Sequence, residues 1–169
     1  GQMAELQPGV SLAAMVGQFN GARNLTTGVV TIQPSASLDY HVHPCSESII
    51  VLDGVVEVQV EGRAYNLGPL DNITIPRWIP HAAKNISTSR PARLHVALAM
   101  SAPERELVMR PFSRTETPSD STGKIGIERV TRFSSAKRSF NVGPGAEFID
   151  YFNAELVPGI EMSGGFGRF

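Results

Sequence analysis

A chain of 169 residues can bury one good-sized core and is short for two average domains. Fifteen Lys and Arg against sixteen Asp and Glu leave a net charge of −1, which gives no electrostatic reason to expect nucleic acid or a membrane surface as partner, so small molecules are the expected ligands. A single cysteine, Cys45, excludes an intrachain disulfide, no apolar run approaches the ~20 residues that cross a bilayer, and a reducing cytoplasm is the expected compartment.

Sixteen glycines and twelve prolines in a 41% hydrophobic chain suit many short strands and frequent turns, so an all-β class is expected. Val10 to Val16 and Leu25 to Ile32 read as two scaffold strands around the loop 17–21, and Gln33 to Ser37 as a turn cluster. In Tyr40-His41-Val42-His43 strand alternation puts both imidazoles on one face and turns Tyr40 to the other, where it serves packing. Pro44-Cys45-Ser46 breaks the alternation; Cys45 here is a small buried turn residue, not a catalytic one. Glu47 to Leu52 is apolar on both faces and should be covered on both.

Asp53-Gly54 reads as a hairpin turn into Val55 to Glu61, where Val56, Val58 and Val60 alternate with Glu57, Gln59 and Glu61, the latter set facing water. Short strands follow at Ala64 to Leu67 and Asn72 to Ile75, then the loop Pro76-Arg77-Trp78-Ile79-Pro80 and His81. Ala92 to Met100 alternates again, with His95 opposite Leu94, Val96 and Leu98, as a closing strand would. Ala102 to Met109 fits a short helix or a strand. Residues 1–112 are thus expected to form the barrel domain and 113–145 a polar exposed linker whose scattered Lys and Arg are solvated.

The segment 146–169 is expected to add C-terminal strands. Pro8-Gly9-Val10 resembles Pro144-Gly145-Ala146, and Thr26 to Ile32 resembles Ser163 to Phe169, with 20 residues from Pro8 to Gly28 and 21 from Pro144 to Gly165. The tail then reads as the opening of a second repeat that stops before its own histidines, or as strands covering an edge of the barrel or a dimer partner. A homodimer is expected, because the two-sided apolar strand and the tail offer more apolar surface than one small barrel covers.

His41, His43, Glu47 and His81 offer three imidazole nitrogens and one carboxylate oxygen, a set suited to a divalent transition metal rather than to Ca or Mg. A tetrahedral ion would be filled by them, whereas a six-coordinate ion keeps two positions for substrate, which ranks Fe(II) or Mn(II) before Ni(II) or Zn(II). Arg77 and Trp78 are candidates for substrate binding at the pocket mouth, and His95 for orienting a ligand or moving a proton.

The pattern from His41 through His43 and Glu47 to Gly54 resembles the first motif of the cupin superfamily, and Pro76 through Trp78 and His81 to Asn85 resembles the second. Ser35, Leu70 and Trp78 stand where those motifs usually carry glycine, which touches loop shape and not the ligands. The resemblance covers roughly residues 10 to 100 and implies a double-stranded β-helix, a small jelly roll, holding one metal on His41, His43, Glu47 and His81. It implies a metal-dependent enzyme, a dioxygenase or an isomerase acting on a small oxygenated metabolite. A non-catalytic barrel that binds or senses a sugar or an acid is the alternative, and a structural barrel the third.

Overall fold

The computed structural model of the chain describes residues 2–169. In chain order the strands are β1 (Gln2–Gln7), β2 (Val10–Val16), β3 (Thr26–Ile32), β4 (Ser37–Val42), β5 (Glu47–Asp53), β6 (Val56–Val60), β7 (Arg63–Leu67), β8 (Asn72–Ile75) and β9 (His81–Asn85). They continue as β10 (Ala92–Leu98), β11 (Glu106–Leu107), β12 (Thr115–Glu116), β13 (Gly123–Lys124), β14 (Arg129–Thr131), β15 (Phe140–Gly143), β16 (Ala146–Phe152) and β17 (Gly164–Arg168). The fold is all-β, a jelly roll: one sheet runs β1-β2-β3-β10-β5-β8-β14-β13 and a second β11-β4-β9-β6-β7-β12, with apolar side chains of both sheets filling the space between.

The period-2 pattern does what it should. Val56, Val58 and Val60 are fully buried inside, with Ile49, Val51, Ile73 and Leu94 of the facing sheet. Asp53-Gly54, however, is not a hairpin: β5 pairs with β8 and β10, β6 with β7 and β9, so this turn carries the chain from one sheet to the other. The turn signal marks a reversal of the backbone and carries no information on which strand pairs across it. The hairpin lies one turn later, between β6 and β7.

The outer face of β6, expected in water, is largely covered. Arg114 reaches Glu57 at 2.6 Å, Tyr40 donates to Gln59 at 3.0 Å, and Phe112 lies against the Tyr40 ring at 4.7 Å. Part of the cover, Arg114, comes from the segment read as an exposed linker; most of 113–139 is exposed as expected, but its short strands pair with the barrel and residues 128 and 130–132 are buried, and there the reading is corrected. β12 pairs with β7, β14 with β8 and β13 with β14, and Glu128 is wholly buried on Arg63 and Tyr65. Arg132, expected solvated, is buried on Asp71 and the Asn66 carbonyl. A polar composition misled there because Arg114, Glu128 and Arg132 meet partners on the barrel wall, Glu57, Arg63 and Asp71, whereas Lys124, Lys137 and Arg138 are exposed as expected.

The tail forms a third sheet, β15-β16-β17, whose Ile149, Tyr151, Phe152 and Val157 pack on Ile50 of β5 and on Phe133. It repeats the meander of β1-β2-β3 in miniature, with a Pro-Gly turn between the first two strands of each. Gly28 and Gly165 occupy like places in the third strands: a Cβ on Gly28 would stand 2.6 Å from the Ala13 carbonyl oxygen and one on Gly165 2.0 Å from that of Ile149, so both strands need a bare backbone there.

Candidate metal centre

The register brings the ligands together from three strands. His41 stands directly opposite His81 across the β4 and β9 pair, His43 follows the end of β4, and Glu47 opens β5 on the facing sheet. The tight link between them is set by the backbone: the Trp78 amide donates to the His43 carbonyl at 2.8 Å, tying the loop before His81 to the turn before Glu47. The four ligand atoms lie within 4.8 Å of one another and all four residues are buried.

Each imidazole is oriented the same way. Nδ1 of His41 meets the Asp39 carbonyl at 2.7 Å, Nδ1 of His81 the Ile79 carbonyl at 2.8 Å, and Nδ1 of His43 the Glu104 carbonyl. A carbonyl oxygen only accepts, so Nδ1 carries a proton in each ring, which leaves Nε2 as the atom that would face a metal. Nε2 of His81 and of His43 point at Glu47 Oε2, at 2.7 and 3.4 Å. Burial pushes His41 down to about 3, which keeps it neutral. Burial would raise Glu47, but hydrogen bonds from His43 and His81 outweigh it and hold the carboxyl well below the usual range. A metal would displace any proton at Nε2, and three imidazole nitrogens, each oriented at Nδ1 by a carbonyl, with one carboxylate fit a divalent transition metal.

Beside the ligands lies a cavity of about 140 Å³ whose walls are mostly apolar, among them Leu38, Ile49, Leu94 and Val96. Leu94, Val96 and Leu98 face it, so alternation sets His95 on the other face of β10, half-buried and away from the ligands. Arg77 and Trp78 are not among the cavity walls either. Arg77 is half-exposed and paired with Glu161 at 2.5 Å, and Trp78 is 54% exposed. Cys45 is buried, and burial pushes its thiol up to about 12, which leaves it unreactive.

Three contributors escaped the sequence reading. Glu104 acts through its carbonyl, which no side-chain pattern announces. Arg105 lines the cavity from a stretch that could have been helix or strand. Glu161 reaches the turn between the histidines and Glu47, its carboxylate accepting from the Ser46 amide at 3.3 Å, across 115 residues of chain.

Residues 28–98 match the family model described as a cupin domain. Among solved structures the chain is similar to the polyketide cyclase RemF from Streptomyces resistomycificus, at 23% identity and a TM-score of 0.54 over 61% of this chain and 73% of that one. It is also similar to an RmlC-like cupin from Shewanella frigidimarina, at 18% identity and a TM-score of 0.52 over 61% and 86%. A recombinant oxalate oxidase in complex with glycolate matches at 19% identity and a TM-score of 0.53 over 59% and 55%. These likenesses are likenesses of fold. A search of curated proteins finds no match. Among the described residues no helix is long and apolar enough to cross a membrane.

Proposed function

We propose, from the premise that residues 28–98 form a cupin domain, that the chain binds one divalent transition metal on His41, His43, Glu47 and His81 and is a metal-dependent enzyme for a small oxygenated metabolite. The observation that carries the reading is the gathering of one ligand atom each from His41, His43, Glu47 and His81 within 4.8 Å of one another in a buried site, with every Nδ1 anchored on a carbonyl. A six-coordinate ion on four ligands keeps two positions for the oxygens of a substrate or for dioxygen, which places Fe(II) or Mn(II) ahead of Ni(II) or Zn(II) and dioxygenation or isomerisation ahead of hydrolysis. The chain's own part is to orient the ligands, hold them neutral or anionic as the metal requires, and exclude bulk water with apolar walls.

Metal analysis of protein purified without chelator tests the first half, with about one equivalent expected in wild type and loss in Glu47→Gln and His81→Ala. Anaerobic loading with Fe(II), Mn(II) or Ni(II), followed by dioxygenase and isomerase substrates, tests the second. Absence of any metal-dependent turnover would sink the enzyme reading.

A second reading, a barrel that binds or senses an acid or sugar unchanged, has one observation in its favour. Apart from the four ligands, the only ionisable residues among the cavity walls are Glu104 and Arg105, so no dedicated proton carrier is evident at the ligands. Recovery of a ligand chemically unchanged after long incubation with metal-loaded protein would favour it.

A further inference from the structure

The cavity at the ligands is too small to be a whole substrate site. At about 140 Å³ it holds a compact group of atoms, whereas small-molecule sites typically span ~300–1,000 Å³. A second chamber of about 530 Å³ adjoins it, and Leu6, Leu12 and Pro103 wall both. Together the two fall inside that range.

The chamber is built by the inner face of the β1 and β2 pair, where Ala4 stands opposite Leu12, and by the 17–19 and 101–103 loops. Its lining is mostly apolar: Ala4, Leu6, Leu12, Ala14, Phe19 and Pro103. Phe19 keeps 44% of its surface exposed.

The inner cavity differs in charge. Arg105 is among its walls; one guanidinium nitrogen, Nη2, donates to the Leu6 carbonyl, and the other, Nη1, is buried without a hydrogen-bond partner. A buried cationic donor left unpaired is costly, and an anion supplied by a ligand would satisfy it. Two carboxylates, Glu47 and Glu104, against a divalent ion and this guanidinium would still leave the cavity with a net positive charge.

We propose that cavity and chamber are one site for an organic anion with an apolar body, such as an aryl- or alkyl-substituted oxo acid. Its oxygen-bearing head lies toward His41, His43, Glu47, His81 and Arg105, and its hydrocarbon body fills the chamber under β1 and β2. This deepens the metal-centre reading above and rests on it.

The test uses the full chain loaded with Zn(II), which has no redox chemistry, with metal stoichiometry measured first. Calorimetric titration then compares 2-oxo-4-phenylbutanoate, pyruvate and the neutral 4-phenyl-2-butanone. The phenyl acid is expected to bind at least tenfold more tightly than either. Ala14→Trp, which fills the chamber, should remove that advantage and leave pyruvate binding and metal content as they were; Ala4→Trp on the exposed edge strand does the same if Ala14→Trp fails to fold. Arg105→Gln should weaken both acids and spare the ketone. Equal binding of the two acids, no binding of either to Zn(II)-loaded protein, or an unchanged phenyl acid affinity in the filled-chamber variants would each overturn the inference. Failure to take up Zn(II) is a separate result, read before any titration, and would overturn the metal reading together with what rests on it.

Discussion

Glu128 has no exposed surface, and its carboxylate accepts from Arg63 Nε at 2.7 Å, Arg63 Nη2 at 2.9 Å and the Tyr65 hydroxyl at 2.5 Å. Burial alone would raise its pKa, but those hydrogen bonds outweigh burial and hold it below its ordinary value of 4.5. With a folded pKa below the unfolded one, the carboxylate adds stability that is complete above the unfolded value and is lost as pH falls through the folded one. Glu128→Gln, which leaves Arg63 without its buried counter-ion, is expected to cost about 3 kcal/mol at neutral pH. The variant should also flatten the loss of stability below pH 4.5, in urea melts across pH. A variant melting as wild type does at pH 7 would show the pair to be energetically idle. Trp78 makes a different residue-scale argument. Its φ is +62°, and Ser35 and Leu70, the other two positions where the motif usually has glycine, lie at +62° and +67°. The backbone takes the left-handed conformation at all three positions without a glycine. At Trp78, which is exposed, a Cβ in that conformation costs ~1–2 kcal/mol. Glycine's larger unfolded-state entropy gives back ~0.5–1 kcal/mol of this. Trp78→Gly should therefore be more stable than Trp78→Ala by up to ~1 kcal/mol; an alanine variant at least as stable as the glycine one would contradict the strain.

At the scale of elements, the turn 44–46 and the loop 76–80 flank three of the four candidate ligands, His43, Glu47 and His81, and both are gripped by the C-terminal segment. Glu161 takes the Ser46 amide with one oxygen and Arg77 with the other. The Arg77 to Glu161 pair is partly exposed and worth ~0.5–1 kcal/mol. Since it acts on the ligand-bearing turns, Glu161→Gln and Arg77→Ala should each weaken Zn(II) affinity a few-fold in competition titrations. The double variant should be no weaker than either single one. Full additivity would mean that the two act separately. The cluster of candidate ligands was legible in the sequence because the spacing of His41, His43 and Glu47 is local and strand alternation sets the two histidines on one face. The Asp53-Gly54 reversal, the partners of Glu57 and Glu128 and the Glu161 contact were not legible. Each depends on which distant strand arrives at a given edge, and for Glu57, Glu128 and Glu161 the deciding partners stand 57, 65 and 115 positions away.

For the whole molecule, the tail changes the case for assembly. The apolar outer face of β5, which by itself would call for a second copy, is covered by the chain's own Ile149, Phe152 and Phe166 packed with Ile50, and Tyr151 donates to the Leu70 carbonyl at 2.7 Å to pin the cover in place. Among the edges left open is β1. It ends the eight-stranded sheet, pairs only with β2, and carries Met3 at 75% exposure beside Met15 at 57% on the face turned away from the core. An unpaired edge with apolar neighbours is a template for another strand, and two copies meeting antiparallel at β1 would continue the sheet through a two-fold axis. Light scattering at micromolar concentration should then give twice the 18.2 kDa chain mass. Met3→Lys, which puts a charge on that edge without touching the core, should return the single-chain mass with the metal content unchanged. A wild-type protein that runs as a single chain would show that the tail alone satisfies the apolar surface and that the β1 edge is protected by its own twist and by Gln7, whose amide already donates to Asp39 at 2.9 Å. Because β1 also roofs the chamber beside the ligands, a dimer formed there would stiffen that roof, and the Met3→Lys monomer should bind 2-oxo-4-phenylbutanoate more weakly than the dimer while binding pyruvate equally well.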